Sequence, residues 1–135
     1  MEVTRILLDT SAYSAYARGN GEIKEILQEV DEVYLTPVIL GELLSGFAGG
    51  RFETRNRDEL RRFRRSPRVI IVTIDEETAE RFAVILHALR KAGTPIPTND
   101  LWIAACAMQY GLKIVTFDAH FQHIPHVITD LHRDR

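Results

Sequence analysis

Cysteine occurs once in this chain, at position 106. A single thiol excludes an internal disulfide and a cysteine-based zinc centre. The His-Glu-x-x-His pattern of helical zinc sites is absent as well. No apolar run approaches the roughly 20 residues that cross a bilayer. The N-terminus enters a strand-like pattern almost at once, with nothing resembling a leader. Internal repeats, low-complexity tracts and an interdomain linker are also missing. What is left is ordinary for a globular protein: 135 residues, 45% hydrophobic and 27% charged, the size of one domain with a real core. A cytoplasmic protein without membrane association is the expectation.

Net charge is small, at −2, but it is unevenly placed. Residues 51–68 hold eight arginines against Glu53, Asp58 and Glu59, a segment charge of +5 that leaves −7 for the remainder. An acidic body with one basic arm suits a phosphate-rich partner better than the average charge does. A solvated helix or a protein contact would account for the same arginines.

Apolar runs alternate with helical spacings. Residues 3–8, 33–36, 69–74 and 113–117 read as strands rich in aliphatic and β-branched side chains, with a final short strand at 127–129. Between them, residues 11–17, 22–30, 38–47, 56–65, 76–92 and 100–110 read as helices. Pro37 suits a first helical turn, Thr73 or Asp75 can cap the helix at 76, Asn99 can cap the one at 100, and Gly93 and Gly111 suit helix ends. The alternation predicts an α/β fold with a mainly parallel central sheet and right-handed crossovers. Cys106, Trp102 and Phe121 fall in apolar patterns and read as core.

Four acids stand apart from those on solvated helix faces. Asp9 closes the unalternating run Ile6-Leu7-Leu8 and is followed by Thr10 and Ser11; alone it would pass for a helix cap, a role that either hydroxyl could also fill. Glu42 sits inside the apolar stretch 38–47, where a charge is costly unless paired or cation-bound. Asp100 opens an apolar helix, and Asp118 ends a strand two residues after Thr116. In a parallel sheet, strand ends and helix starts gather at one edge. Four carboxylates there require a counter-charge, and a hard divalent cation, Mg2+ or Mn2+, supplies it through oxygen ligands.

The ordered set (strand-Asp9-Thr-Ser, Pro37-Val-Ile-Leu-Gly-Glu42-Leu, Asn99-Asp100-Leu-Trp-Ile-Ala-Ala105 and Val115-Thr-Phe-Asp118-Ala-His-Phe121) resembles the PIN domain, in particular the VapC toxins of toxin–antitoxin pairs. The resemblance runs from about Ile6 to Val127. It implies a three-layer α/β/α sandwich, a single nuclease domain over residues 1–135, and metal-dependent endoribonuclease activity. It makes Asp9, Glu42, Asp100 and Asp118 the catalytic and metal-binding acids, with Asp118 at a position where the family varies. It gives Thr10, Ser11 and Thr116 orienting roles. It also implies an RNA substrate, a cognate antitoxin and a homodimer. Arg51, Arg55, Arg61, Arg62 and Arg65 lie outside the catalytic pattern and are candidates for RNA binding. His120, His123 and His126 do not share one helix face, and surface or packing roles are expected, although His120 lies near the acids and could touch a phosphate.

Other chemistries fit less well. An aspartyl phosphatase of the haloacid dehalogenase type wants a second Asp two residues after the first, where Ser11 stands. A phosphoacceptor receiver wants adjacent acids after its first strand and a lysine after a late one; here Leu8 precedes Asp9 and Lys113 precedes its strand. An RNA-processing nuclease outside any toxin system and a silent interaction module on the same fold remain alternatives.

Overall fold

A computed structural model describes residues 2–133. Five parallel strands, β1 (Arg5–Leu8), β2 (Glu32–Leu35), β3 (Val69–Ile71), β4 (Lys113–Thr116) and β5 (Thr129–Leu131), form one sheet in the order β3-β2-β1-β4-β5. Ile6, Leu7 and Leu8 of β1 and Ile114, Val115 and Thr116 of β4 are all buried. That is why these strands show no alternation: both sheet faces are covered. The edge strands β3 and β5 are three residues long and half-buried, which limits the unpaired backbone they offer.

The helices are α1 (Thr10–Ala17), α2 (Gly21–Glu29), α3 (Pro37–Phe47), α4 (Glu53–Arg65), α5 (Glu76–Ala92) and α6 (Thr98–Tyr110), with a short 3-10 helix at Ala119–His123. From β1 the chain steps through β2 to β3, then crosses back over the sheet to β4 and β5. Right-handed crossovers in these two directions put helices on both faces, giving the α/β/α sandwich. The reversal at β1 and β4 is the switch point at which open α/β sheets place their sites. No helix among the described residues is long and apolar enough to cross a membrane.

Several helix ends are built as their residues suggest. Thr36 accepts from the Ile39 amide at 3.1 Å ahead of Pro37. Asp75 and Thr78 close a reciprocal capping box on α5. Gly93 and Gly111 end α5 and α6 in the left-handed region, at φ 71° and 66°. Cys106 is fully buried, and burial pushes its thiol up to about 12, consistent with an inert core residue. Phe121 is core as well, while Trp102 is half-buried and stacks on Phe82 with centroids 4.2 Å apart.

Some boundaries differ from the sequence reading. Helix α4 begins at Glu53, three residues before the expected 56, because Glu53 Oε1 accepts from the Gly49 amide at 2.9 Å and steadies a turn with no apolar pattern. Strand β3 ends at Ile71 because its partner β2 ends at Leu35, where the chain turns into α3. Strand β5 starts at Thr129, since the Val127 amide closes a turn onto the Ile124 carbonyl. Helix α6 starts at Thr98, so Asn99 lies inside the first turn and does not cap it. Asp9 itself caps α1, and Thr10 and Ser11 are helical residues rather than caps.

Candidate active site

Asp9 leaves the end of β1 with its carboxylate turned back over the first turn of α1. Its Oδ1 accepts from the Ala12 amide at 2.9 Å and from Ser11 Oγ at 2.8 Å. Its Oδ2 accepts from Thr116 Oγ1 at 2.5 Å, across the β1–β4 pairing. The two hydroxyls each work in both directions. Ser11 Oγ also accepts from the Phe117 amide at 2.9 Å, and Thr116 Oγ1 accepts from the Asp118 amide at 2.8 Å. Each hydroxyl thus directs its proton to Asp9 and accepts from a backbone amide after β4, so both oxygens of the carboxylate are held by groups that are themselves anchored.

Glu42, on α3, is held by a second pair of donors. Thr10 Oγ1 donates to Oε1 at 2.5 Å, and Asn99 Nδ2 reaches Oε2 at 3.4 Å. Asn99 therefore does something other than the capping its sequence context predicts. In the first turn of α6 it ties that helix to α3 beside Asp100. Asp100 is buried, at 9% exposure, although it is charged and not needed as a cap. Its Oδ2 lies 3.0 Å from Nδ1 of His120. The same nitrogen is 3.0 Å from Asp118 Oδ1, which also accepts from the His120 amide at 2.9 Å.

Electrostatics bind the four acids into one unit. Burial pushes the Asp9 carboxyl up to about 6 against the pull of its three hydrogen bonds, and the Asp118 charge raises it further. Burial also raises Asp100; the His120 hydrogen bond opposes the shift, while Asp118 and Glu42 add to it. Two carboxyls held above their ordinary range by burial and by neighbouring negative charge are a site short of positive charge. The donors are carboxylate oxygens with one imidazole, and Asp100, Asp118 and His120 offer ligand atoms all within 4.8 Å of one another. That set fits a hard or borderline divalent cation.

All four expected acids come to the carboxyl edge of the sheet, with Thr10, Ser11 and Thr116 each bonded to one of them. The sequence gives His120 no firm part, yet it sits between Asp100 and Asp118; its only signal is its place two residues after Asp118. The arginines are elsewhere. Arg51 and Arg55 lie over the exposed Phe52 ring at 5.4 and 4.2 Å from its centroid, and Arg61 pairs with Asp58 at 2.6 Å. Arg62 lines a groove with Tyr13, Tyr16, Leu27 and Phe63, and Arg65 is exposed. Among the described residues no hydrogen bond or ion pair joins these arginines to the four acids. Glu42 and Asp118 are half-buried and His120 is exposed, so the acid cluster forms an edge open to solvent, while two grooves lie elsewhere, along α1, α2, α3 and α4.

Residues 6–127 match the model of the PIN domain family. The chain belongs to the PIN domain family. It is 30% identical to a protein named Ribonuclease VapC4 from Mycobacterium tuberculosis, over 94% of this chain and 96% of that one. Among solved structures it superposes on VapBC2 from Rickettsia felis, bound to a DNA fragment from its promoter, with a TM-score of 0.84 at 21% identity, covering 95% of this chain and 98% of that chain. It also superposes on VapBC-5, a toxin–antitoxin member from Mycobacterium tuberculosis, with a TM-score of 0.71 at 25% identity, covering 97% and 99%.

Proposed function

We propose that this chain is a divalent-metal-dependent endoribonuclease that hydrolyses RNA phosphodiester bonds, acts in the cytoplasm as a single nuclease domain, and serves as the toxin of a pair whose antitoxin covers it. The observation that carries the reading is the convergence of Asp9, Glu42, Asp100 and Asp118 at the switch point of the sheet, with two of their carboxyls raised by burial and by neighbouring acids. Family membership and the VapC ribonuclease relatives support the reaction. The VapBC complexes among the structural neighbours support the antitoxin. The homodimer rests on the family resemblance, and light scattering of the isolated chain tests it.

In this reading Asp9, Glu42, Asp100 and Asp118 hold Mg2+ or Mn2+. When bound, the cation supplies an activated water and stabilisation of charge on the phosphoryl group. The chain's own residues do the rest. Ser11 and Thr116 fix both oxygens of Asp9, and Thr10 and Asn99 fix those of Glu42, so that the ligands are oriented before RNA arrives. The open edge admits a single strand lengthwise, and the arginines of residues 51–65 hold flanking phosphates.

Purified chain incubated with RNA and Mn2+ or Mg2+ is expected to produce discrete fragments that disappear with chelator. Asp9→Asn is expected to abolish cleavage while leaving the circular dichroism spectrum unchanged. Full metal-dependent cleavage by Asp9→Asn removes this reading.

A further inference from the structure

His120 stands out because nothing in the core or in a cap requires it. Its side chain is 49% exposed, yet its ring is not left to solvent: Nδ1 lies 3.0 Å from Asp100 Oδ2 and 3.0 Å from Asp118 Oδ1. These partners come from different elements, the first turn of α6 and the second residue after β4. The 3-10 helix that carries His120 is fixed at both sides. Asp118 caps it through the His120 amide, and the next residue, Phe121, is fully buried. The imidazole is therefore aimed at the carboxylates by a rigid turn.

We propose that His120 is a direct ligand of the divalent cation, through Nδ1, and that its nitrogen biases the site toward manganese over magnesium. The proposal rests on the nuclease reading above. The three donor atoms lie within 4.8 Å of one another, the sole such group found among the described residues. In an octahedral shell with bonds of about 2.1 Å, neighbouring donors stand about 3.0 Å apart, which matches the two Nδ1–oxygen separations. Asp9 and Glu42 are already held by hydroxyls and an amide on the other side of the cluster, so Asp100, Asp118 and His120 form the half of the site that offers nitrogen. Magnesium and manganese both favour oxygen ligands, but magnesium holds strictly to oxygen and water. Manganese belongs to the first-row series whose affinity extends to nitrogen donors, so a single imidazole among carboxylates separates the two ions.

The test is pulsed electron paramagnetic resonance on the wild-type chain loaded with Mn2+, beside His120→Ala and a wild-type sample labelled with 15N-histidine. The expected result is 14N modulation that becomes 15N modulation on labelling and vanishes in His120→Ala. Titration calorimetry is expected to show Mn2+ affinity falling about tenfold in His120→Ala, while Mg2+ affinity changes by less than about threefold. Bound Mn2+ without nitrogen modulation, or modulation retained in His120→Ala, overturns the proposal; if Asp9→Asn still abolishes RNA cleavage, the nuclease reading stands. Failure of the wild-type chain to bind Mn2+ overturns both.

Discussion

Thr116 Oγ1 donates to Asp9 Oδ2 at 2.5 Å while accepting from the Asp118 amide at 2.8 Å, so one hydroxyl couples the ends of β1 and β4. Both groups are buried, and the bond spans 107 residues of sequence. Replacing this hydroxyl removes a donor to one acid and an acceptor beside another.

Thr116→Val is therefore expected to lower kcat/KM for RNA cleavage by about 10- to 100-fold, the range typical of groups that orient metal ligands. It is expected to destabilise the fold by about 1–3 kcal/mol, because the Asp118 amide and Asp9 each lose a buried partner. Thr116→Ser keeps the hydroxyl and should restore most of both. Urea melts and single-substrate kinetics on the three proteins check this; wild-type kinetics in Thr116→Val would deny the hydroxyl its orienting role.

Asp9 supplies a pH signature in the metal-free protein. Its folded value of about 6 lies above the ordinary 3.8, so the folded state binds the proton more tightly than the unfolded chain. The resulting stabilisation is fully present below the ordinary value and is lost as pH rises through about 6. A shift of this size corresponds to about 3 kcal/mol. Asp9→Asn should thus be more stable than wild type near pH ~7.5, with the advantage gone near pH ~4. Saturating Mn2+ should narrow or reverse the gap, because in the proposed site the ion binds the ionised wild-type carboxylate. Denaturant melts at both pH values, with and without Mn2+, read out the effect.

A second titration lies at the far edge of the sheet. His132 Nδ1 is 3.0 Å from Glu22 Oε2, and Nε2 faces Asp130 Oδ2 at 3.1 Å without the alignment of a hydrogen bond. Burial works against the imidazolium, but Glu22 and Asp130 together outweigh it and raise the group. With the folded value raised, the stabilisation is complete below the unfolded value of about 6.5 and fades as pH climbs through the folded one. His132→Ala should cost more at pH ~6 than at pH ~8.5 in paired thermal melts. An equal cost at both would show that the ring acts only by packing on Phe117.

The arginines are tested through salt. Arg51→Gln with Arg55→Gln removes the two guanidiniums over Phe52 without touching the acids. If they hold RNA phosphates, the slope of log affinity against log salt should flatten by about 0.7 for each phosphate no longer held. Cleavage at saturating RNA should change little. Arg61, already paired with Asp58, should contribute less than Arg62 or Arg65. Filter binding of uncleaved RNA to Asp9→Asn, with and without the arginine changes, supplies the slopes. Unchanged slopes would assign the segment to a protein partner.

How much of this is legible in the chain differs from element to element. Strands β1 and β4 announce themselves because burial on both faces leaves no polar residue from Ile6 to Leu8 or from Ile114 to Val115. The acids at their ends are readable because each interrupts an apolar run, as Glu42 does inside α3. The start of α4 is not readable, since its first turn is held by a Glu53-to-backbone bond with no apolar periodicity. Asn99 misleads because a residue fit for capping gives the same local signal as one that reaches Glu42 across 57 residues of sequence. His120 is readable only as a neighbour of the acids and not as the partner of two of them, for the same reason: Asp100 and Asp118 meet only when β4 docks beside β1 and α6 packs against β4. Long-range convergence leaves no local pattern.

The strand order carries a consequence for synthesis. Asp9 is made before the groups that orient and accompany it at β4, which come more than a hundred residues later. The central β1–β4 pairing is thus among the last to be completed. A growing chain can fold α1, β2 and α3 around β1 and still hold only Asp9 and Glu42. The proposed four-acid site therefore stays incomplete on the ribosome until residue 118 has been made, so the synthesis of Asp9 and the completion of its surroundings are separated in time.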